Sequence, residues 1–172
     1  MMSHPAKSQD PPGPIVFRYE ATPDDRQRVR EIVASTGFFN PEEIDVAEEL
    51  VEERLAEGPD SGYHFVFADQ DRRTTGYTCY GPIAGTTGSY DLFWIAVDAN
   101  VQRQGLGKVL LAESERLIRH AGGTRIYIET SNRGHYASTR AFYERNGYAL
   151  EAVLKDFYAP GDDKAIYVKA VG

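Results

Sequence analysis

The sequence predicts one α/β (α+β) domain in which seven strands and four helices follow one another in the order βααβββαβαββ. Three observations lead there. Between residues 22 and 57 apolar residues recur at helical spacing. From residue 63 the period drops to two through three segments rich in β-branched and aromatic residues. After residue 97 a glycine-bearing turn returns the chain to a helical stripe. A chain of 172 residues, 41% hydrophobic and 12% aromatic, fills one core and leaves no room for a second full domain.

Residues 1–14 contain four prolines and almost no apolar side chain, so they are expected to form a flexible tail ahead of a single domain at 15–172. Residues 15–20 alternate as a strand does. Thr22, before Pro23 and two aspartates, signals a helix start, with the helix running to about Ser35. Asn40-Pro41-Glu42-Glu43 has the spacing of a capping box. Ile44, Ala47, Val51 and Leu55 then form one stripe until Gly58-Pro59. Segments 63–68, 74–80 and 90–97 read as strands, and their short connections predict an antiparallel meander.

Leu106, Val109, Leu110, Leu117 and Ile118 share one face of a helix over 105–121, broken by Gly122-Gly123. Residues 125–129 form a short buried strand and 136–145 a helix ended by Asn146-Gly147. Residues 148–155 and 165–171 supply the last two strands. No internal repeat is present.

Several function classes are disfavoured. The net charge of −7 opposes unspecific contact with nucleic acid or an anionic membrane. The longest apolar run, residues 92–97, is far below the roughly 20 residues of a membrane helix. The N-terminus has no signal-type apolar stretch, so a cytoplasmic location is expected. The single cysteine, Cys79, sits in a strand-like context and reads as a packed thiol. His4, His64, His120 and His135 lack metal-site spacing, so no metal is expected.

The most informative segment is Val97-Asp98-Ala99-Asn100-Val101-Gln102-Arg103-Gln104-Gly105-Leu106-Gly107-Lys108, a strand-to-helix turn. Two glycines let the backbone approach a ligand, and free N–H groups at the helix start favour an anion, as does the helix dipole. Arg103 and Lys108 add positive charge. A P-loop would need Gly at 102 and Ser or Thr at 109, where Gln102 and Val109 stand. A dinucleotide fingerprint would need Gly at 110, which is Leu110.

What remains, Gln102-x-x-Gly105-x-Gly107 after Ile95-Ala96-Val97, resembles the coenzyme A pyrophosphate loop of the GNAT acyltransferase superfamily. Arg140-Ala141-Phe142-Tyr143-Glu144-Arg145-Asn146-Gly147-Tyr148 resembles that family's last helix and following strand. The element order is similar over roughly residues 15–171. The resemblance implies a mixed, mostly antiparallel seven-stranded sheet flanked by four helices, with two central parallel strands that splay apart.

By the same resemblance, acetyl-CoA is the acyl donor and no metal takes part. Ile95 and Val97 would pair with the pantetheine arm, and the N–H groups of Gln102, Arg103, Gln104, Gly105, Leu106, Gly107 and Lys108 would hold the pyrophosphate. Tyr143 falls on the tyrosine that protonates the departing thiolate, and an N–H near Ala96 or Val97 on the oxyanion donor. Where relatives carry a pantetheine-holding Asn, this chain has Tyr136. Either Asn132 or Tyr136 is then the candidate for that contact.

The chemistry needs a group that takes a proton from an ammonium. Asp91, at the start of the 92–97 run, and Glu129, at the end of the next strand, are the candidates. Simple alternation puts Asp91 on one face with Phe93, Ile95 and Val97, among apolar neighbours that would raise its pKa. The acceptor pocket is expected from Phe38, Phe39 and Tyr158, the last in a loop at 156–164. Eight acidic residues against Arg54 between Pro41 and Gly58 form either a cation-attracting rim or a solvated helix face.

The expected function is N-acetylation of a primary amine by direct transfer, with a small amine or amino-acid-like metabolite favoured over protein N-termini or lysines. The alternative is a non-catalytic acyl-CoA-binding module. The expected partner is the small-molecule amine, with no nucleic acid and no membrane. An exposed last strand could pair two copies as a homodimer.

Overall fold

Apolar residues alternate along β2 (His64–Gln70), sending Phe65 and Phe67 to one face of a sheet and Val66 and Ala68 to the other. Both faces must therefore be covered. In the computed structural model, which describes residues 11–101 and 105–172, helices cover both. Helices α1 (Asp25–Ser35) and α2 (Pro41–Glu57) bury Val29, Ile32, Val33, Ala47 and Val51 against Phe65, Phe67, Tyr77 and Cys79. On the opposite face α3 (Leu106–His120) and α4 (Ala137–Arg145) bury Leu106, Leu110, Leu111, Ile118 and Tyr143 against Val66, Leu92, Ile126 and Ile128.

The remaining strands are β1 (Val16–Arg18), β3 (Arg73–Pro82), β4 (Ser89–Val97), β5 (Arg125–Ser131), β6 (Ala149–Ala159) and β7 (Asp162–Ala170). Their order in the single sheet is β1-β2-β3-β4-β5-β7-β6. All neighbours are antiparallel except β4 and β5, which run parallel. This is the mixed, mostly antiparallel seven-stranded sheet with four helices.

The capping box of α2 is formed: the Glu43 N–H donates to Asn40 Oδ1 at 2.9 Å and the Asn40 N–H to Glu43 Oε2 at 2.8 Å. Such a cap stabilises a helix by about 1 kcal/mol. The apolar stripe of α2 is shorter than expected, since Leu55 is exposed and Arg54 turns inward. Its guanidinium donates to the Tyr63 carbonyl oxygen at 3.2 Å, so a lone cation in an acidic helix serves the strand that follows. In α3, Val109 is exposed, whereas Leu111, Ser114 and Glu115 are buried.

Two departures shape the functional region. In β4 one extra residue, Phe93, stands between the pairs Tyr80↔Leu92 and Cys79↔Trp94. This bulge reverses the alternation: Tyr90, Leu92, Ile95 and Val97 pack towards α3 and α4, and Trp94 and Ala96 towards α1 and α2. Asp91 therefore does not share a face with Ile95 and Val97. The supposed loop at 156–164 is mostly strand, since β6 runs to Ala159 and β7 resumes at Asp162. Gly161 turns the chain with φ +79°, its N–H held by Asp156 Oδ1 at 2.7 Å.

Candidate functional site

Parallel pairing between β4 and β5 covers only Ser89↔Arg125, Tyr90↔Ile126 and Asp91↔Tyr127. Beyond Asp91 the bulge bends β4 away while β5 stays paired to β7 as far as Ser131. The two strands splay into a V. The Asp98 N–H donates to the Thr75 carbonyl at 2.8 Å, which fixes the backbone alternation. Trp94 and Ala96 thus address β3, and the N–H and C=O groups of Ile95 and Val97 face the gap.

The N-terminus of α3 lies beside the end of β4. Its N-cap, Gly105, adopts φ +68° and supplies no side-chain cap. The N–H groups of Leu106, Gly107 and Lys108 are the unpaired donors of a first helical turn among the described residues. A Cβ on Gly76 would lie 3.0 Å from Leu110 Cδ1 and 3.3 Å from Leu106 Cδ2, so a glycine in β3 lets this turn sit close to the sheet. Gln102, Arg103 and Gln104 lie outside the described residues.

The splay opens onto a cleft of about 1060 Å³. Ile95, Val97, Gly107, Phe142 and Tyr143 line it on the α3 and α4 side, and Ala96 lines it from β4. Phe38, Phe39, Trp94, Glu129, Tyr136 and Tyr158 line it elsewhere. Of the two carboxylates considered as bases, Glu129 is in the cleft wall. Asp91 is half-buried at the closed end of the V, on the same sheet face as Glu129 through its rung with Tyr127. Asn132 is exposed and away from the cleft wall, with its N–H on the Asp163 carbonyl at 2.9 Å. Leu106 turns its side chain into the core.

Burial raises the Asp91 carboxyl pKa, the Glu129 charge adds to the shift, and Lys164 opposes it. Glu129 itself meets Lys164 Nζ at 2.6 Å, and that ammonium rests 3.8 Å from the Phe157 ring centroid. Tyr143 is 6% exposed, its hydroxyl has no hydrogen-bond partner among the described residues, and burial raises its pKa. Burial, with help from Glu129, Asp162, Tyr136 and Glu43, pushes the Tyr158 phenol up to about 12.

The Tyr136 hydroxyl donates to the Phe38 carbonyl at 3.2 Å. Its own turn is held by Arg140, which donates to the carbonyls of Ser131 at 3.0 Å and Arg133 at 2.7 Å.

Sequence reasoning did not single out Trp94, Ser131 or Arg133, which line the cleft together with Glu43 of the acidic helix and Asp162 of the last loop. Trp94 was hidden by the bulge, for which a single sequence gives no signal. Asp162 accepts from the Ser131 hydroxyl at 2.5 Å and pairs with Arg133 Nε at 3.3 Å. Among the described residues no group of three or more His, Cys, Asp or Glu side chains could hold a metal ion.

The model of the acetyltransferase (GNAT) family matches residues 26–148. A crystal structure from Desulfovibrio desulfuricans, described as a candidate acetyltransferase of the GNAT family, is 53% identical. It covers 92% of this chain and 100% of its own, with a TM-score of 0.90. The fold is also shared with the aminoglycoside 6′-N-acetyltransferase of Enterococcus faecium, which is 20% identical, covers 91% of this chain and 97% of its own, and has a TM-score of 0.72. It is shared too with the PaiA N-acetyltransferase of Thermoplasma acidophilum in complex with coenzyme A, at 19% identity, 90% and 99% coverage and a TM-score of 0.65. No curated protein matches the sequence. The splayed strands and the helix start beside them thus sit within a match spanning most of the chain, and the protein belongs to the GNAT acetyltransferase family.

Proposed function

We propose that this protein transfers an acetyl group from acetyl-CoA to a primary amine directly, without a covalent enzyme intermediate. The observation that carries this reading is the splay between β4 and β5, which opens onto a cleft with Glu129 and Tyr143 in its walls. The residues suit the donor. The free backbone edge at Ile95 and Val97 fits the amides of a pantetheine arm, as an added strand would. The uncapped start of α3 fits a diphosphate, through three N–H donors and the positive end of the helix dipole.

The bound thioester supplies the activated acyl group. Glu129 takes the proton from the incoming ammonium, so that a neutral amine attacks. Asp91, deeper on the same face, is the second carboxylate able to receive that proton through water. One backbone N–H of Ile95 or Val97, turned toward the gap because Trp94 and Ala96 bond to β3, donates to the oxygen on which negative charge develops. Tyr143, kept protonated by its buried setting, gives its proton to sulfur as the carbon–sulfur bond breaks, and the second proton shed by the acetylated nitrogen restores the phenol through water. A route through Cys79 is disfavoured, because the thiol is fully buried and burial raises its pKa.

The test is the melting temperature with acetyl-CoA, free CoA and ATP, followed by a screen of amines with detection of released thiol. At a hundredfold excess over its dissociation constant, a ligand of the native state adds roughly 2.7 kcal/mol, or about 5–10 °C here. A shift with both CoA forms and none with ATP, followed by amine-dependent thiol release, is the expected result. Absence of a CoA shift would remove the donor site, and a shift with no turnover of any amine would leave a binding module.

A further inference from the structure

The acceptor end of the cleft is walled mainly by flat rings. Phe39 packs on Trp94 at 4.8 Å between centroids, and Phe38 meets Tyr136 at 6.0 Å. Tyr158 stands at the start of the β6–β7 turn with 47% of its surface exposed. These rings come from the α1–α2 connection, β4, the turn before α4 and β6, so the collar is assembled from four parts of the fold.

The carboxylates in the same walls are unequally available. Asp162 is engaged by the Ser131 hydroxyl and Arg133, and Glu43 is engaged by the Asn40 N–H in the α2 cap. Glu129 touches Lys164, yet about half of its side chain remains exposed to the cleft. Its charge is felt at the Tyr158 ring, whose phenol it helps to raise. Carboxylates beside exposed aromatic faces suit an ammonium attached to an apolar, flat body, through charge pairing, ring stacking and cation–π attraction.

Such walls do not suit the alternatives. A sugar's hydroxyls would meet ring faces that cannot bond them. The Tyr136 hydroxyl on the Phe38 carbonyl ties two walls together, which favours a compact molecule over an extended peptide.

We infer that the acceptor is a monoamine carrying an aromatic ring or similar planar apolar group, held between Phe38, Trp94, Tyr136 and Tyr158 with its nitrogen at Glu129. This rests on the acetyl-transfer reading and specifies its substrate class.

The experiment measures acetyl-CoA protection first, then thiol release with 2-phenylethylamine, tryptamine, butylamine, spermidine, an aminoglycoside and an alanine-led tetrapeptide. The expected result is kcat/KM for 2-phenylethylamine at least tenfold above butylamine and spermidine. Tyr158→Ala and, separately, Tyr158→Leu should shrink that preference at least threefold, chiefly through KM. Calorimetry of 2-phenylethylamine with the CoA-loaded protein should show the same loss of affinity in both variants.

If acetyl-CoA binds but spermidine, the aminoglycoside or the peptide is the better acceptor, or if arylalkylamines are not turned over, the acceptor inference fails while the donor site stands. If acetyl-CoA gives no protection, the acetyl-transfer reading fails and this inference with it.

Discussion

Tyr136 and Phe38 lie 98 residues apart in sequence and are joined by a single hydrogen bond, the Tyr136 hydroxyl donating to the Phe38 carbonyl at 3.2 Å. The bond links the α1–α2 connection to the turn before α4. Tyr136 thus fastens two walls of the cleft. Tyr136→Phe removes a partly exposed bond with a net value of about 1 kcal/mol. It should lower the melting temperature by no more than about 2–4 °C and raise the acceptor KM, as scanning fluorimetry and steady-state kinetics would report.

Glu129 is the candidate base that lines the cleft, so Glu129→Gln should reduce kcat by about 10²–10⁴, the usual contribution of a positioned base. Circular dichroism of the variant guards against a fold effect, since Lys164 loses its partner. A kcat within a factor of a few of the parent would transfer the role to Asp91.

Asp91 has a stability signature of its own. Folding raises its pKa above the ordinary 3.8, chiefly through burial, so the native state holds this proton more tightly than the unfolded chain does. Stability then falls as pH rises through the interval between the two values, and the cost is fully present at pH 7. Asp91→Asn should therefore raise the melting temperature at pH 7, with the gain fading below pH 3.8. A parallel offset at all pH values would contradict this.

Tyr143→Phe should lower kcat by about 10² with little change in acetyl-CoA affinity, because the hydroxyl makes no hydrogen bond among the described residues. Burial raises the phenol pKa, so its ionisation should leave no mark on the rate below pH 10, the ordinary value for tyrosine. Proportionate losses of kcat and cofactor binding would instead assign Tyr143 a packing role.

Tyr77 carries a fully buried hydroxyl without a hydrogen-bond partner among the described residues, between Phe65, Phe67 and the α1–α2 core. An unsatisfied buried group of this kind costs about 1–3 kcal/mol. Tyr77→Phe should stabilise the protein by roughly 1 kcal/mol, a rise of about 2–4 °C in melting temperature. A loss of stability would mean that the hydroxyl is satisfied by water.

Local rules made much of the chain legible. The Asn40–Glu43 box, the stripe ending at Ile118, the Gly122-Gly123 break and the alternation of Phe65 with Val66 depend on neighbours a few residues away, and each element lies where those neighbours indicate. The glycine turn before α3 and the Phe142-Tyr143 pair were likewise readable, because backbone freedom and helical spacing are properties of residue type.

What stayed hidden depended on partners distant in sequence. The extra residue at Phe93 exists only against Cys79 and Tyr80, and it decides that Trp94 rather than Phe93 faces α1 and α2 with Ala96. Strands β6 and β7 continue through a polar segment because each supplies the other's ladder. Residue type and local period thus determined the elements and the family resemblance of this protein. Only the tertiary structure decided which candidate base lines the cleft and that Trp94 joins Phe38, Phe39 and Tyr158 in its wall, because a one-residue shift in strand pairing exchanges the faces of every side chain beyond it.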